Sequence, residues 1–144
     1  MDQEKKIQLA RQFISALPYA RALSLEMEEI GDGRAVISMP YNESLVGDPV
    51  TGVIHGGAVS GLMDTTGGAA VMSHPSSPGG TATIDLRIDY MRAATPGQRI
   101  VARAEVYHIT RSVAFVKAVA LDEDESNPVA TATGAFTVEQ GLKR

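Results

Sequence analysis

Residues 56–73 restrict the possible fold more than any other stretch of this 144-residue chain. They contain a single charged residue, Asp64, and they lack the alternation of β-branched side chains that marks a strand. Because the stretch is also too long for one strand, the sequence predicts a helix over these residues. This helix lies in the middle of the chain, where it would be the main cover for a sheet built from the flanking residues.

The flanking residues predict one further helix and a set of strands. Residues 3–17 space their apolar side chains as a helix does, and residues 83–90 alternate polar and apolar side chains as a half-buried strand does. Residues 41–54 are rich in turn formers and predict a loop. The other strand candidates, separated by short turns, cover residues 22–29, 34–40, 99–110, 112–122 and 128–139. The predicted fold class is therefore α+β, with an antiparallel sheet in a single domain spanning residues 1–144.

Composition excludes several classes of protein and site. The net charge of −4 leaves no basic surface for nucleic acid, and no apolar run reaches the length of a membrane span. The chain has no cysteine, which excludes disulfides, thiol nucleophiles and cysteine metal sites, and its three histidines show no metal-binding spacing. The charged N-terminus lacks the apolar core of a secretory signal. We therefore expect a soluble, cytoplasmic protein with no nucleic-acid or membrane partner.

The predicted central helix carries an unusual face. The residues three and four positions from Asp64 are Ser60, Gly61, Gly67 and Gly68, so the carboxylate lies in a stripe of minimal side chains. Each interior glycine costs roughly 1 kcal/mol relative to alanine, which suggests that a ligand or another backbone approaches closely. Close packing against a sheet or a second helix would also account for the stripe. The carboxylate favours a functional interpretation, because burying a charge is costly unless it is paired or has a task.

The N-terminus of this helix is marked by His55, Gly56 and Gly57. The first turn of a helix has free N–H groups and a positive dipole end, which can hold an anion or the oxyanion of an acyl-transfer reaction. Gly57 and Asp64 are about 10 Å apart along the helix axis, too far to act on one carbonyl carbon. If the two cooperate, the acid has to come from an antiparallel helix of a second copy. This geometry predicts a two-fold dimer with two active sites at its interface.

At these residues the chain resembles the hotdog-fold acyl-CoA thioesterases of the PaaI-like, phenylacetate-pathway branch. The resemblance covers roughly residues 20–140, and its strongest segments are LVGDPVTGVIHGGAVSGLMDTTGGAAVMS and TATIDLRIDYMRAATPGQ. It implies a hotdog fold, in which an antiparallel sheet wraps around one long helix. It also implies homodimers that are often paired into tetramers, and hydrolysis of acyl-CoA thioesters without a cofactor.

The resemblance also assigns roles to individual residues. Asp64 would be the family acid, which either activates a water or attacks the carbonyl itself, and the sequence leaves both roles open. The N–H of Gly57 would polarise the thioester carbonyl, with His55 and Gly56 shaping this end of the site. Thr83 takes the place of the hydroxyl residue that helps to position the water.

Three more residues are candidates for substrate binding. The family usually has Asn in the loop before the His-Gly-Gly motif, and Asp48 stands at that position here. An ionised Asp can only accept hydrogen bonds, whereas Asn can also donate, so this departure could change catalysis or substrate choice. Arg92 and Arg111 are candidate contacts for the phosphates of CoA.

Two alternative functions stay open. A hotdog dehydratase or hydratase would use His55 with Asp64 to move protons on the acyl chain. A non-catalytic acyl-CoA-binding protein would keep the fold and the pocket but not the turnover, and Asp48 is the residue that keeps this alternative in view. The sequence does not identify the acyl group.

Overall fold

The computed structural model describes residues 3–140. It shows a six-stranded antiparallel sheet in the order β1-β2-β6-β7-β8-β5, a separate two-stranded sheet, and three α-helices within the described residues. The helices are α1 (Gln3–Ala16), α2 (Pro18–Ala22) and α3 (Gly56–Ser73). The strands are β1 (Glu26–Gly31), β2 (Arg34–Met39), β3 (Val46–Asp48), β4 (Val53–Ile54), β5 (Thr83–Tyr90), β6 (Ile100–Ile109), β7 (Val113–Leu121) and β8 (Ala130–Thr137).

The core lies between α3 and the sheet. Helix α3 buries Leu62, Met63 and Val71 completely, and its contacts are with β6, β2 and β7 above all. Much of the sheet surface that meets this core is alanine, which leaves room for the helix backbone to approach the strands. The buried alanines of the sheet are Ala35, Ala102, Ala104, Ala114, Ala120, Ala130 and Ala132. The predicted α+β fold with one long central helix is confirmed, and α3 covers the predicted residues 56–73.

Two local features differ from the prediction. The predicted helix 3–17 is followed at Pro18 by the short helix α2, because proline is tolerated in the first turn of a helix, and the predicted strand 22–29 therefore starts only at Glu26. The predicted loop 41–54 contains the hairpin of β3 and β4, whose strands are too short to show a periodic pattern. The hairpin turn closes with a hydrogen bond from the Gly52 N–H to the Asp48 carbonyl, and Gly52 takes a φ of +81°.

Strand β5 is an edge of the large sheet. It pairs only with β8, so the backbone N–H and C=O groups of its other side have no strand partner among residues 3–140. No residue of β5 is fully buried, and the side chain of Ile84 is 56% exposed. A long, exposed edge strand with apolar side chains is a surface on which a further strand can pair.

None of the helices within the described chain combines the length and hydropathy that a membrane span requires.

Candidate active site

The carboxylate of Asp64 lies in the middle of α3 and is half-buried. The hydroxyl of Thr83, the first residue of β5, donates a 2.6 Å hydrogen bond to Asp64 Oδ1. Within residues 3–140 the other oxygen, Oδ2, has no hydrogen-bond or ion-pair partner. A carboxylate held by one oxygen and open at the other can accept a proton or attack an electrophile with the free oxygen. The structure therefore brings Asp64 and Thr83 together.

The N-terminus of α3 differs from the prediction in one respect. His55 is the N-cap of the helix, and its Nδ1 accepts a 2.7 Å hydrogen bond from the Gly57 N–H. The Gly57 N–H therefore already has an acceptor within the chain, and its role as the donor to the thioester carbonyl stays a prediction. No hydrogen-bond acceptor is seen for the Gly56 N–H in the described part of the chain. Gly56 is thus the first-turn donor that stays open for a ligand.

His55 acts at this end through its ring. Because Nδ1 accepts a hydrogen bond, the geometry assigns the ring proton of a neutral imidazole to Nε2. The backbone of His55 also anchors the preceding hairpin, since its N–H donates to the carbonyl of Leu45 at 2.8 Å. Gly47 packs so closely on this backbone that a methyl group added there would lie 2.8 Å from the Cα of His55. The hairpin of β3 and β4 therefore holds the capping histidine in place.

The two ends of β5 hold the two parts of this site. The hydroxyl of Tyr90, the last residue of β5, donates a 2.8 Å hydrogen bond to the Gly56 carbonyl. Thr83 at the other end of the strand holds Asp64. At a rise of 1.5 Å per residue, Gly56 and Asp64 are about 12 Å apart along the helix axis. Within a single chain, the free N–H and the free carboxylate oxygen do not meet on one carbonyl group.

A match with a family of known proteins agrees with this arrangement. The profile of the thioesterase superfamily matches residues 51–129, which include the His-Gly-Gly motif, Asp64 and β5. This chain belongs to the thioesterase superfamily.

A candidate esterase of Halobacterium salinarum is 36% identical over 124 residues, which cover 81% of each chain. The medium/long-chain acyl-CoA thioesterase YigI of Escherichia coli K12 is 26% identical over 139 residues, which cover 88% of each chain.

The fold has a solved counterpart. The structure of the PaaI protein of Escherichia coli, from the phenylacetic acid degradation operon, superimposes with a TM-score of 0.84 and covers 97% of each chain at 21% identity. The predictions of a hotdog fold, of a PaaI-like thioesterase and of thioester hydrolase activity are thereby confirmed.

The glycine stripe of this thioesterase has mainly an internal explanation. A methyl group added at Gly61 would lie 2.7 Å from the Tyr19 hydroxyl, and one added at Gly67 would lie 2.8 Å from Cζ of Phe136. Both glycines therefore make room for aromatic side chains of the same chain, and neither needs a second helix. Gly68 is different, because a methyl group there would meet only Thr81, at 3.8 Å. Of the stripe, Gly68 is the position that leaves space open beside Asp64.

Asp48 takes part in its own turn. Its Oδ1 accepts a 3.0 Å hydrogen bond from the Val50 N–H, and its Oδ2 accepts a 2.8 Å bond from the Thr51 hydroxyl. The Thr51 hydroxyl, followed by the Val50 N–H, lowers the pKa of this exposed carboxyl below its ordinary value. Within the chain Asp48 makes no hydrogen bond to His55 or Asp64. Its turn nevertheless belongs to the hairpin that packs on His55.

Arg92 has a structural partner that the sequence did not indicate. Its guanidinium forms two hydrogen bonds, of 2.7 and 2.6 Å, with the two oxygens of Asp122, and two more with the carbonyls of Ala93 and Asn127. Four of its five N–H donors are thus used within the chain. This arrangement leaves one N–H of the Arg92 guanidinium for another partner, which argues against Arg92 as a contact for a CoA phosphate.

Arg111 differs from Arg92. It is exposed in the turn between β6 and β7, and no ion pair of its side chain is seen among the described residues. Its neighbour Ser112 accepts a hydrogen bond from the Val138 N–H, just beyond the end of β8 that pairs with Thr83. Arg111 therefore lies at the same end of the sheet as the Asp64–Thr83 pair.

Sequence reasoning missed Tyr90 and Asp122. Tyr90 is the last residue of the alternating strand 83–90, and its hydroxyl is the group that ties this strand to the start of α3. The alternation predicted the strand, but the partner of a side chain at its end depends on how α3 crosses the sheet. Asp122 opens the acidic turn after β7, where a carboxylate is usually solvated.

Proposed function

We propose that this thioesterase hydrolyses acyl-CoA thioesters at two equivalent sites of a homodimer. The proposal rests on one observation: strand β5 is bonded near both groups of the site that have no partner within the chain. Strand β5 holds the carboxylate of Asp64 at one end and the open helix N-terminus of Gly56 at the other. The similarity to the acyl-CoA thioesterase YigI supports CoA as the thiol part of the substrate.

The free edge of β5 supports the proposed dimer. Antiparallel pairing of β5 with a second copy, centred between Leu86 and Arg87, places Thr83 opposite the partner's Tyr90. Asp64 then lies at the same end as the partner's Gly56, because each group is tied to one of these two residues. Such pairing brings together the carboxylate and the free N–H that one chain keeps about 12 Å apart. Further pairing of dimers into tetramers remains a prediction.

The chemistry uses both groups on one carbonyl. The thioester oxygen accepts the Gly56 N–H of one subunit, which with the positive end of α3 stabilises the oxyanion. Asp64 of the other subunit uses Oδ2 either to take a proton from the attacking water or to attack the carbonyl carbon.

In the first route the water oxygen bonds to the carbonyl carbon, the carbon–sulfur bond breaks, and the proton taken by Asp64 passes to the CoA thiolate. In the second route Asp64 forms a mixed anhydride as the carbon–sulfur bond breaks, and water then hydrolyses the anhydride, which releases the free acid, restores Asp64 and supplies the proton for the CoA thiolate. Thr83 fixes Oδ1 and so directs Oδ2.

The surrounding residues complete the proposal. His55 keeps the Gly57 N–H occupied, so that Gly56 supplies the donor. Arg111 lies near the Asp64 end of the sheet and is the proposed contact for a CoA phosphate, whereas Arg92 is left out because Asp122 binds it. Asp48 stays a candidate for substrate contact through the hairpin that it shares with Gly47. A cytoplasmic location is part of the proposal.

The first test is release of free thiol from a panel of acyl- and aryl-CoA esters, with wild type and Asp64→Asn compared. The chain has no cysteine, so a thiol reagent meets no background from the protein. Hydrolysis by wild type that collapses in a folded Asp64→Asn variant supports the proposal. Hydration of an enoyl-CoA without thiol release would favour the hydratase alternative. Thermal stabilisation by acyl-CoA without turnover would favour the binding protein.

The second test asks whether the site is shared between subunits. Gly56→Pro removes the free N–H, and the first helical position tolerates proline. His55 already has a φ of −59° and a ψ of 135°, which suits a residue before proline. A Cβ at position 56 would meet the Tyr90 ring at an ordinary 3.5 Å. Each single variant is expected to be nearly inactive.

Mixing Asp64→Asn with Gly56→Pro gives heterodimers in which one of the two shared sites is intact. Random exchange makes half of the dimers heterodimers, so about one quarter of the wild-type activity should return. No recovery, with subunit exchange verified by mass spectrometry, would mean that the two groups do not act across an interface.

A further inference from the structure

We infer that a β-bulge in β5, stabilised by the side chain of Asp85, turns the Thr83 hydroxyl toward Asp64. Asp85 is then a positioning residue for hydrolysis, because its own hydrogen bond goes to β8 and it acts on the carboxylate only through Thr83. This role rests on the proposed function, which takes Asp64 as the group that acts on the thioester. The bulge explains how one edge strand can hold both open groups of the site.

In a regular strand the side chain of Thr83 would point away from α3. Side chains alternate between the two faces of a strand, so Thr83 would share its face with Asp85 and Arg87. The side chain of Arg87 is exposed, whereas its neighbour Ile88 packs against the core and lies opposite the buried Ala132. Regular alternation would therefore place the Thr83 hydroxyl on the outer face of the sheet, away from the helix that carries the carboxylate.

The pairing of β5 with β8 contains one extra residue. Thr83 lies opposite Phe136, whereas Asp85, two residues further on, lies opposite the adjacent Ala135. Ile84 is therefore the extra residue of a β-bulge, which shifts the alternation by one position. Directly opposed residues share a face of the sheet, and the buried ring of Phe136 lies against α3. The bulge thus turns Thr83 to the α3 side, where its hydroxyl reaches the carboxylate.

The same shift lets β5 contact α3 at both ends. Tyr90 lies opposite the buried Ala130, and its hydroxyl donates to the Gly56 carbonyl at the start of α3. An odd number of positions separates Thr83 from Tyr90, so regular alternation would turn their hydroxyls to opposite faces. Because one bulge lies between the two residues, both hydroxyls face α3.

Side chains and a glycine stabilise the bulge. The Oδ1 atom of Asp85 accepts a 3.1 Å hydrogen bond from the Ala135 N–H, at the point where the bulge interrupts the ladder. Gly134 makes room for the bulge, since a methyl group there would lie 2.6 Å from the Asp85 carbonyl oxygen. On the other side of the bulge, the Thr137 hydroxyl accepts a 2.9 Å hydrogen bond from the Ala82 N–H. Asp85 is exposed, so its side chain can be changed without altering the core.

Thiol-release kinetics of three variants tests this role. Asp85→Ala removes the acceptor and should lower kcat by about three- to tenfold, with KM changed by less than about twofold, because Thr83 loses its fixed orientation but remains present. Asp85→Asn keeps a carbonyl acceptor without the charge and should stay within about twofold of wild type. An unchanged kcat in Asp85→Ala would overturn the inference.

Asp89→Ala is the matched control. Asp89 is another exposed carboxylate of β5, and it lies where the pairing with β8 is regular. Its removal should change kcat by less than about twofold, because no bulge depends on it. An equal loss of kcat in Asp89→Ala and Asp85→Ala would show a general effect of strand charge and would also overturn the inference.

Two double variants separate positioning from a general loosening of the strand. In a Thr83→Val background no hydroxyl is left to orient, so Asp85→Ala should lower kcat by less than about a further twofold. Deleting Ile84 gives a regular ladder in which Thr83 still lies opposite Phe136, so this deletion should restore most of the kcat that Asp85→Ala loses. Fully additive losses, or a loss that the deletion leaves in place in a folded protein, would contradict the role of Asp85.

A structural measurement separates this role from the proposed function. In wild type labelled on its threonine methyl groups, NMR should show a nuclear Overhauser effect between Thr83 and the side chain of Asp64, which a 2.6 Å hydrogen bond joins. Asp85→Ala should weaken this signal and Asp89→Ala should not. That result in a protein that hydrolyses no thioester would keep the bulge and reject the enzyme. Hydrolysis with an unchanged signal in Asp85→Ala would keep the enzyme and reject the role of Asp85.

Discussion

Two aspartates of this thioesterase, Asp122 and Asp64, differ in how many hydrogen bonds their carboxylates accept within the chain. Asp122 is 5% exposed, and both of its oxygens bind Arg92. It also accepts hydrogen bonds from the Thr95 N–H, the Thr95 hydroxyl and the Asp124 N–H. Asp64 is half-buried and accepts one hydrogen bond, from Thr83. The first carboxylate has no free acceptor site that faces a ligand, and the second keeps one oxygen open.

The difference lies in what surrounds each group. The hydrogen bonds from Arg92 are the main reason that the pKa of Asp122 lies well below its ordinary value, although burial alone would raise it. A carboxylate stabilised in this way is a poor base and a poor nucleophile. Asp64 has no cation in hydrogen-bond contact within the described residues and faces an apolar groove. No cation therefore competes with a substrate or a water molecule for the free oxygen of Asp64.

The largest expected effect comes from exchanging each carboxylate for an amide. Asp64→Asn should lower kcat for thioester hydrolysis by about 10²- to 10⁴-fold, because the amide neither accepts the proton nor attacks the carbonyl. Asp122→Asn, the matched control, should change kcat by less than about threefold at a temperature where it is folded. Thiol-release kinetics on both variants checks this. A loss of kcat in Asp122→Asn as large as that in Asp64→Asn would break the distinction between the two groups.

Stability should show the opposite order. Asp122→Ala removes the buried acceptor of several hydrogen bonds from the half-buried Arg92 and from Thr95, and is expected to lower the free energy of unfolding by about 2 kcal/mol. Asp64→Ala removes a group with a single hydrogen bond and should cost about 1 kcal/mol or less. Urea denaturation of the two variants and wild type measures both values. If Asp64→Ala proves the more destabilising, Asp64 has a structural role that its contacts do not reveal.

The Asp122 pair also predicts how stability depends on pH. The pKa of Asp122 is lower in the folded protein than in the unfolded chain, where it is near 4. Its contribution is therefore fully present above about pH 4 and is lost as the pH falls through the folded-state pKa. Wild type should lose stability more steeply than Asp122→Asn below pH 4, as thermal unfolding at a series of pH values would show. Parallel curves for the two proteins would mean that the pair does not control acid unfolding.

A smaller effect is expected at Thr83, which fixes the position of the reactive carboxylate. Thr83→Val keeps the shape of the side chain and removes the hydrogen bond to Asp64, so kcat should fall by about tenfold. Thr83→Ser retains a hydroxyl and should recover most of the loss. A Thr83→Val variant with unchanged kcat would indicate that Asp64 is oriented by other contacts.

Local patterns explain which parts of this molecule were predictable. The absence of strand-like alternation fixed α3, and the alternation over residues 83–90 fixed β5, because each reflects contacts repeated along one element. The predicted bounds of α3 also gave the positions of Asp64 and of the N-terminus along the helix. The sequence also predicted that the two groups are too far apart to act within one chain.

Features that depend on the meeting of distant segments were not predictable. The bond from the Gly57 N–H to the His55 ring is local, but it depends on a side-chain conformation that has no sequence signal. Arg92 looked like a surface cation until the turn after β7 brought Asp122 beside it. The glycine stripe suggested a partner helix, although Tyr19 and Phe136 of the same chain occupy most of it.

Asp48 provides the smallest predicted effect, and it extends the comparison to a third aspartate. Its two oxygens accept local hydrogen bonds as those of Asp122 do, but it is exposed as Asp122 is not. Asp48→Asn keeps an acceptor for the Val50 N–H and removes a negative charge from the hairpin that packs on His55. Because solvent screens this charge, kcat/KM should rise by no more than about threefold, as thiol-release assays at two salt concentrations would show. A rise of tenfold or more that persists at high salt would mean that the amide donates directly to the substrate. Position 48 would then belong with the open carboxylate of Asp64 rather than with the satisfied one of Asp122.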